Sequence, residues 1–240
     1  SYKEVFSKQL NHILKKINSS DNFSIHMPDY LHGNRILDPI SDDKTTRHDS
    51  RQTIKRVTEF AKELEFRIEK NVPIIASFSQ TNGRKKTQLL DDLFSFLNHS
   101  RYVKHKILPQ WLPVYAWYFG GSVKIDLFNS IEDIEYLKKN SLAICLDICH
   151  LALSANFYNA NWKIWLKHLK PISEHFHLAD SQGTDGEGLQ IGTGDIKDFS
   201  IFLDTRGMKI IEVWQAHLNE GYGFMNAIDI LYKKYKKNKL

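Results

Sequence analysis

The amino-acid sequence predicts an α/β protein, and within that class a (β/α) TIM-type barrel built as one domain over residues 1–240. Short apolar runs alternate with helical patterns along the chain, as in parallel strands joined by crossover helices. Several apolar runs also end in a polar residue, at the position where such barrels build their sites. An open six-stranded sheet with helices on both faces is the second interpretation of this pattern.

In the N-terminal half, apolar residues at helical spacing predict helices, and short apolar runs between polar segments predict strands. Helices are expected over residues 2–17, from an N-cap at Asp49 or Ser50 to about Lys70, and over Lys86–Leu97. Strands are expected at Phe23–Met27, Ile74–Phe78 and Lys106–Leu108.

The C-terminal half repeats the alternation. Helices are expected over Ile131–Lys139, Trp162–Leu169, Ile196–Leu203 and Phe224–Tyr235, and strands at Leu142–Leu146, His175–Leu178 and Lys209–Val213. A closed eight-stranded barrel takes about 250 residues. Because only six strands are predicted in 240 residues and the chain begins with Ser, we expect one or two N-terminal βα units to be missing. This would make the chain truncated, without its leader, or a domain of a longer polypeptide.

The composition is that of a globular protein, with 42% apolar and 25% charged residues. The sequence contains no apolar run of about 18 residues, so no membrane span is expected. It also lacks an N-terminal signal segment, which favours the cytoplasm. Cys145 and Cys149 are expected to be reduced. The lysines of the C-terminal tail supply much of the net charge of +5; they indicate a solvated helix end, with a nucleic-acid contact as the alternative.

Polar residues with ligand chemistry end four of the predicted strands. They are Gln110, Asp147 with His150, His177 with Asp180, and Glu212. A buried charge is costly unless it is paired or bound to metal, and the C-terminal ends of parallel strands meet at one rim. The pattern therefore predicts that Asp147, His177 and Glu212 converge on one divalent metal. The structural alternatives are a helix cap for Asp147 and a satisfied core histidine for His177, whereas Glu212 is hard to explain structurally.

Two further segments adjoin these strand ends. The loop after Gln110 is rich in aromatic residues, on whose faces sugars stack; alternatively the loop packs over the barrel mouth. Its aromatic residues are Trp111, Tyr115, Trp117, Tyr118 and Phe119. A glycine-rich loop with Asp185 and Glu187 lies between His177 and Glu212, and glycines let backbone approach a ligand closely. His26, at another strand end, is expected to reach the same rim.

The segments CLDICHLAL, HFHLADSQGTDGEGLQIGTGDI and IIEVW, in this order and spacing, resemble the xylose isomerase-like barrel family. That family includes sugar isomerases and epimerases and the endonuclease IV-type apurinic/apyrimidinic enzymes. The resemblance covers roughly residues 23–235. The segments SIHMPDY and RILDPIS further resemble bacterial members found with nonulosonic-acid and other surface-glycan genes.

The resemblance implies a metal site with one ligand from each of four strands. By motif, the ligands fall on Gln110, Asp147, His177 and Glu212, and His150 falls on the family's DxxH histidine. Mn²⁺ suits this set best, with Zn²⁺ or Mg²⁺ as alternatives. A glutamine amide is not a base near neutral pH, so Gln110 departs from the family's two-glutamate mechanism.

The expected function is a divalent-metal-dependent isomerase or epimerase, acting on a sugar or sugar phosphate by proton transfer next to a metal-polarised carbonyl. Glu212 is the expected base, with His150 or Glu187 as its catalytic partner. Substrate is expected to contact His26, Trp111, Trp117 and Asp185.

Two other functions stay open. One is a non-catalytic barrel that binds a sugar or a partner domain, covalently attached or separate, at the N-terminus. The other is a metal-dependent hydrolase or lyase, including one that cleaves abasic DNA. Nucleic acid is not the expected partner, because Glu187 stands where the endonucleases carry a histidine and the segment Ile75–Ser79 lacks their strand histidine.

Overall fold

The protein is described by a computed structural model that covers residue 15 and residues 22–79, 84–118, 120–203 and 205–237. The helix predicted over residues 2–17 lies outside these residues except for Lys15, and so does Phe119 of the aromatic loop. In the described part of the chain, no helix is long and apolar enough to cross a bilayer.

Twelve strands are described, in chain order β1 (Ile25–His26), β2 (Tyr30–Leu31), β3 (Arg35–Ile36), β4 (Ile74–Ala76), β5 (Ile107–Pro109), β6 (Tyr115–Tyr118), β7 (Gly121–Lys124), β8 (Ile144–Asp147), β9 (Ser173–Leu178), β10 (Asp180–Gln182), β11 (Gly186–Leu189) and β12 (Met208–Ile211). The helices are α1 (Lys44–Ile68), α2 (Lys86–His99), α3 (Ile131–Lys139), α4 (Ile148–Phe157), α5 (Trp162–Leu169), α6 (Ser200–Leu203) and α7 (Leu218–Lys237). A short 3₁₀ turn, Lys170–Ile172, precedes β9.

Six of the strands form the barrel wall. β1, β4 and β5 pair in parallel, as do β8, β9 and β12, and a bridge between Gln110 and Cys145 joins the two groups. The order along the wall is therefore the order along the chain, with helices between successive strands. This confirms the predicted (β/α) barrel class and the six predicted wall strands. The remaining strands form three antiparallel hairpins.

Two local predictions were wrong. The N-cap of α1 is Asp43, whose side chain accepts from the Thr46 N–H at 2.7 Å. The predicted cap residues have other partners, since Asp49 pairs with Arg35 and Ser50 Oγ accepts from the backbone of Asp38. Helix α4 was also missed, because every residue from 148 to 155 is buried and the segment shows no amphipathic period.

Candidate active site

Three predicted ligands meet at the C-terminal rim of the barrel. Asp147 ends β8 and lies in register with His177 of β9, and Glu212 directly follows β12. One ligand atom from each of the three lies within 4.8 Å of the other two. His177 Nδ1 lies 2.7 Å from a carboxylate oxygen of Glu212 and 3.8 Å from one of Asp147. The convergence predicted from the strand ends is present.

The two carboxylates experience opposite electrostatic effects. Burial raises the pKa of Asp147 to about 6, against the attraction of His150. Desolvation within the cluster would also raise the pKa of Glu212, but the adjacent His177 ring outweighs it and holds that pKa below its usual range. Asp147 also caps α4, since its Oδ1 accepts from the His150 N–H at 3.0 Å. The cap therefore uses one carboxylate oxygen, and the other, Oδ2, faces His177.

Gln110 presents its amide nitrogen, and not its oxygen, to the cluster. Nε2 lies 3.0 Å from Asp147 Oδ2 and 3.1 Å from His177 Nδ1. The amide oxygen points away and accepts from His26 Nε2 at 2.8 Å and from Ser77 Oγ at 3.1 Å. In this arrangement the amide atom that faces the cluster is the nitrogen, which has no lone pair for coordination; a rotation of the amide by about 180° would bring the oxygen, the ligand atom that the resemblance implies, to the same place.

The donor set fits a cation. His177 Nδ1 faces a donor, the Gln110 amide nitrogen, and an acceptor, the Glu212 carboxylate, and one ring nitrogen cannot accept and donate at once. A divalent ion held by Asp147, His177 and Glu212 would resolve this mismatch. Two carboxylates and one imidazole are the ligand types of Mn²⁺ and Zn²⁺ sites.

A second acid–base pair lies beside the cluster. His150 Nε2 lies 2.8 Å from Glu187 Oε1, and its Nδ1 lies 3.0 Å from the backbone oxygen of Trp111. Both ring nitrogens thus face acceptors, which requires a doubly protonated ring. Although burial would lower it, Asp147 and Glu187 raise the pKa of His150 to about 10. His150 is therefore a proton donor, and Glu187 is the basic member of the pair.

These groups open into one cavity of about 250 Å³, just below the roughly 300–1,000 Å³ typical of drug-sized ligands. Its described lining includes four carboxylates, two imidazoles and four large aromatic rings, and no lysine or arginine. They are Asp29, Asp147, Glu187, Glu212, His26, His150, Tyr30, Trp117, Tyr118 and Trp214. The cavity suits a small polar molecule with apolar faces.

Two residues predicted to contact substrate lie elsewhere. The side chain of Trp111 is fully buried, and its indole N–H donates to Ser154 Oγ at 3.0 Å. Its ring also lies 6.1 Å from that of Trp165 in α5, so its aromatic character serves the core. Asp185 is exposed in the β10–β11 hairpin and lies outside the cavity lining. His26 and Trp117 do line the cavity, and Trp117 is 60% exposed.

The strand-end rule missed Asp29 and Trp214. Asp29 lies in the turn before β2, and its Oδ1 is buried with no hydrogen-bond partner among the described residues. Burial raises the pKa of Asp29, and His26 opposes the shift. Trp214 follows Glu212 by two residues, so an aromatic beyond a strand-end acid was an available signal. Nothing in the segment around Asp29 pointed to the cavity.

The loop that carries Glu187 is anchored by a buried carboxylate. Asp180, which is fully buried, accepts four backbone N–H groups at 2.9–3.0 Å, those of Ser181, Gly192, Gly194 and Ile196. Asp180 was therefore a polar anchor and not a ligand. The same loop places Gly188 at φ +68 against the Trp214 ring, where a Cβ would lie 2.6 Å from the ring's Cγ. The indole position is thus set by a glycine.

Comparison with protein-family models identifies the fold's relatives. A model described as xylose isomerase-like TIM barrel matches residues 8–234. The chain belongs to this family. This confirms the resemblance carried by the strand-end motifs. A search of curated proteins by sequence found no match.

Several solved structures share this fold at low sequence identity. The apo 3-keto-D-glucoside 4-epimerase YcjR from E. coli matches with a TM-score of 0.55 and 15% identity, over 80% of this chain and 74% of that chain. The probable 3-DHS dehydratase AsbF, involved in petrobactin synthesis in Bacillus anthracis, matches with a TM-score of 0.54 and 13% identity, over 95% and 81%. SacUVDE matches with a TM-score of 0.60 and 13% identity, over 97% and 73%. At these identities the likeness shows the fold alone.

Proposed function

We propose that this family member is a divalent-metal-dependent isomerase or epimerase that acts on a sugar or sugar derivative. The observation that carries the proposal is the convergence of Asp147, His177 and Glu212 within 4.8 Å, with Asp147 and Glu212 lining a small polar cavity. An ion held there would polarise a substrate carbonyl or hydroxyl and acidify the neighbouring C–H.

Glu212 is the proposed base. Its carboxylate lines the cavity, and a glutamate carboxyl group is ionised at neutral pH. A carboxylate in contact with the substrate carbon can take up the proton and return it. Gln110 cannot share this task, because an amide neither gains nor loses a proton near neutral pH.

The second proton-transfer group is proposed to be the Glu187–His150 pair. His150 holds the Glu187 carboxylate at 2.8 Å and is itself fixed by the Trp111 carbonyl at 3.0 Å. Glu187 would exchange the proton on the substrate, while the His150 cation stabilises negative charge that develops during transfer. Both candidate partners from the sequence thus receive a role in the proposal: Glu187 transfers the proton, and His150 supplies the positive charge.

The residues that line the cavity favour one class of substrate. Trp117 and Trp214 offer exposed ring faces, 60% and 56% exposed, on which the C–H face of a sugar can stack. The carboxylates around them accept hydrogen bonds from hydroxyl groups and repel a phosphate. We therefore favour an unphosphorylated sugar over the sugar phosphate that the sequence left open. Two proteins that share the fold are a 3-keto-D-glucoside 4-epimerase and a probable 3-DHS dehydratase.

Solvent exchange tests the reaction. With Mn²⁺ in D₂O and a panel of ketoses, aldoses and keto-sugars, the wild type should incorporate deuterium next to the carbonyl of its substrate, measured by mass spectrometry. Glu212→Gln should reduce the rate by at least about 100-fold, the lower bound for a positioned acid–base group. Glu212→Gln should also reduce the amount of bound metal, which is expected to be about one ion per chain in the wild type.

Glu174→Gln is the matched control. Glu174 lies three residues before His177 on β9, about 10 Å further down the strand, and pairs with Lys106 on the surface at 2.6 Å. Its exchange rate and metal content should equal those of the wild type. A metal-free wild type that exchanges no deuterium would refute the proposal and leave the non-catalytic barrel as the better account. Equal exchange in both variants would refute Glu212 as the base. Net loss of water from the substrate would instead identify a lyase.

A further inference from the structure

A second group of ligand-type side chains lies below the rim, inside the barrel. Cys145, His175 and His177 each place one ligand atom within 4.8 Å of the other two. Cys145 Sγ lies 3.4 Å from His175 Nδ1. The residues are 0%, 0% and 3% exposed, respectively. This inner cluster shares His177 with the rim cluster, and its other two members, Cys145 and His175, are not part of the rim cluster.

The strand register explains the position of the inner cluster. Cys145 is two residues before Asp147 on β8, and His175 is two residues before His177 on β9. Residues two apart lie on the same face of a strand, so both point to the barrel interior one layer deeper. Cys145 and His175 are partners in the β8–β9 pairing. Ile75 and Leu108 pack around Cys145, which makes the surroundings apolar.

The hydrogen-bonding capacity of the inner cluster is not fully used. His175 Nε2 is buried and has no hydrogen-bond partner among the described residues. A buried polar atom without a partner is costly, and neither Cys145 nor His175 has a task in the proposed reaction. A thiol and two imidazoles are the ligand types that thiophilic cations prefer.

We propose that Cys145, His175 and His177 form an inner site for a thiophilic divalent cation, Zn²⁺, whose binding excludes the catalytic ion from the rim. On binding, a Zn–S bond forms as the Cys145 S–H bond breaks, and the proton leaves to solvent. Each imidazole contributes one nitrogen lone pair.

Exclusion follows from the shared ring. A neutral imidazole has one lone pair, because its other nitrogen carries the proton. His177 uses Nδ1 toward Glu212 at 2.7 Å in the rim cluster. If the ring gives its lone pair to the inner ion, it presents an N–H to the rim and is lost as a ligand there. Zn²⁺ would thereby act as a metal-selective inhibitor of an enzyme loaded with Mn²⁺.

Cobalt absorption spectroscopy tests the inner site directly. Co²⁺ added to the wild type should give a thiolate-to-Co²⁺ charge-transfer band. The band should disappear in Cys145→Ser and persist in Cys149→Ser, which changes the other buried cysteine, outside the cluster. No band in the wild type, or a band that depends on Cys149 and not on Cys145, overturns the proposal. This result does not depend on whether the rim reaction exists.

Manganese electron paramagnetic resonance tests the exclusion. Zn²⁺ should release bound Mn²⁺ from the wild type. In Cys145→Ser the required Zn²⁺ concentration should rise at least about tenfold, because even outer partners of a metal ligand change affinity by that much. Equal release in both proteins, or a thiolate band while Mn²⁺ stays bound, overturns the shared-ring mechanism. A variant whose thermal unfolding matches that of the wild type is folded. If Cys145→Ser does not fold, His175→Phe, which removes another ligand of the inner site, is the variant to test instead.

Discussion

Asp180→Asn should destabilise the protein strongly, although it exchanges one atom. The carboxylate is fully buried, and each oxygen accepts two backbone N–H groups. Oδ1 serves Ser181 and Ile196, and Oδ2 serves Gly192 and Gly194. An asparagine amide keeps one oxygen, so either orientation turns an NH₂ group toward two N–H donors.

The magnitude follows from the two donors left without an acceptor. Each buried unsatisfied N–H costs about 1–3 kcal/mol, so Asp180→Asn should lower the free energy of unfolding by about 4 kcal/mol. This is a large share of the total of about 5–15 kcal/mol for a typical domain. Because the loop that Asp180 holds also carries Glu187, ligand affinity at the cavity should fall as well.

Urea unfolding followed by tryptophan fluorescence measures the effect. Asp185→Asn is the control, because Asp185 is an exposed acid of the same loop and should change stability by less than about 0.5 kcal/mol. A loss below about 1 kcal/mol in Asp180→Asn would show that the four N–H groups find other acceptors, and the anchoring argument would be wrong.

Two further changes test local features. Gly188→Ala should weaken ligand binding and destabilise the loop by about 1–2 kcal/mol, because φ is +68 and the new Cβ meets the Trp214 ring. Gly183→Ala is the control for the backbone cost alone, since φ is +62 there and nothing lies within 4 Å of the new Cβ. Equal ligand binding by both variants would contradict the role of the indole. Burial raises the pKa of Asp38 to about 6, so the native state binds the proton more tightly than the unfolded chain and stability falls as pH rises from about 4 to 6. Asp38→Asn removes this loss, so its free energy of unfolding relative to that of the wild type should rise by on the order of 2–3 kcal/mol between pH 4 and pH 7, measured by thermal unfolding. A stability difference between the two proteins that does not change with pH would contradict this prediction.

Much of the barrel could be predicted from the sequence because its wall strands are short apolar runs that lie between helices of clear period. Helix α4 was not, since a segment buried on all sides has no polar face to mark its period. The cap of α1 was also misplaced. Asp43, Asp49 and Ser50 all have cap chemistry, and only the fold decides which one faces a free N–H.

The sequence was enough to predict which residues meet at the candidate metal site on the rim. Asp147, His177 and Glu212 each end a strand of the same polarity, and parallel pairing brings such ends together whatever the details of packing. Tertiary structure alone decided the directions of neighbouring side chains. Trp111 turns into the core toward Ser154, and Gln110 turns its oxygen to His26. These directions depend on partners far away in the chain, and no local pattern encodes them.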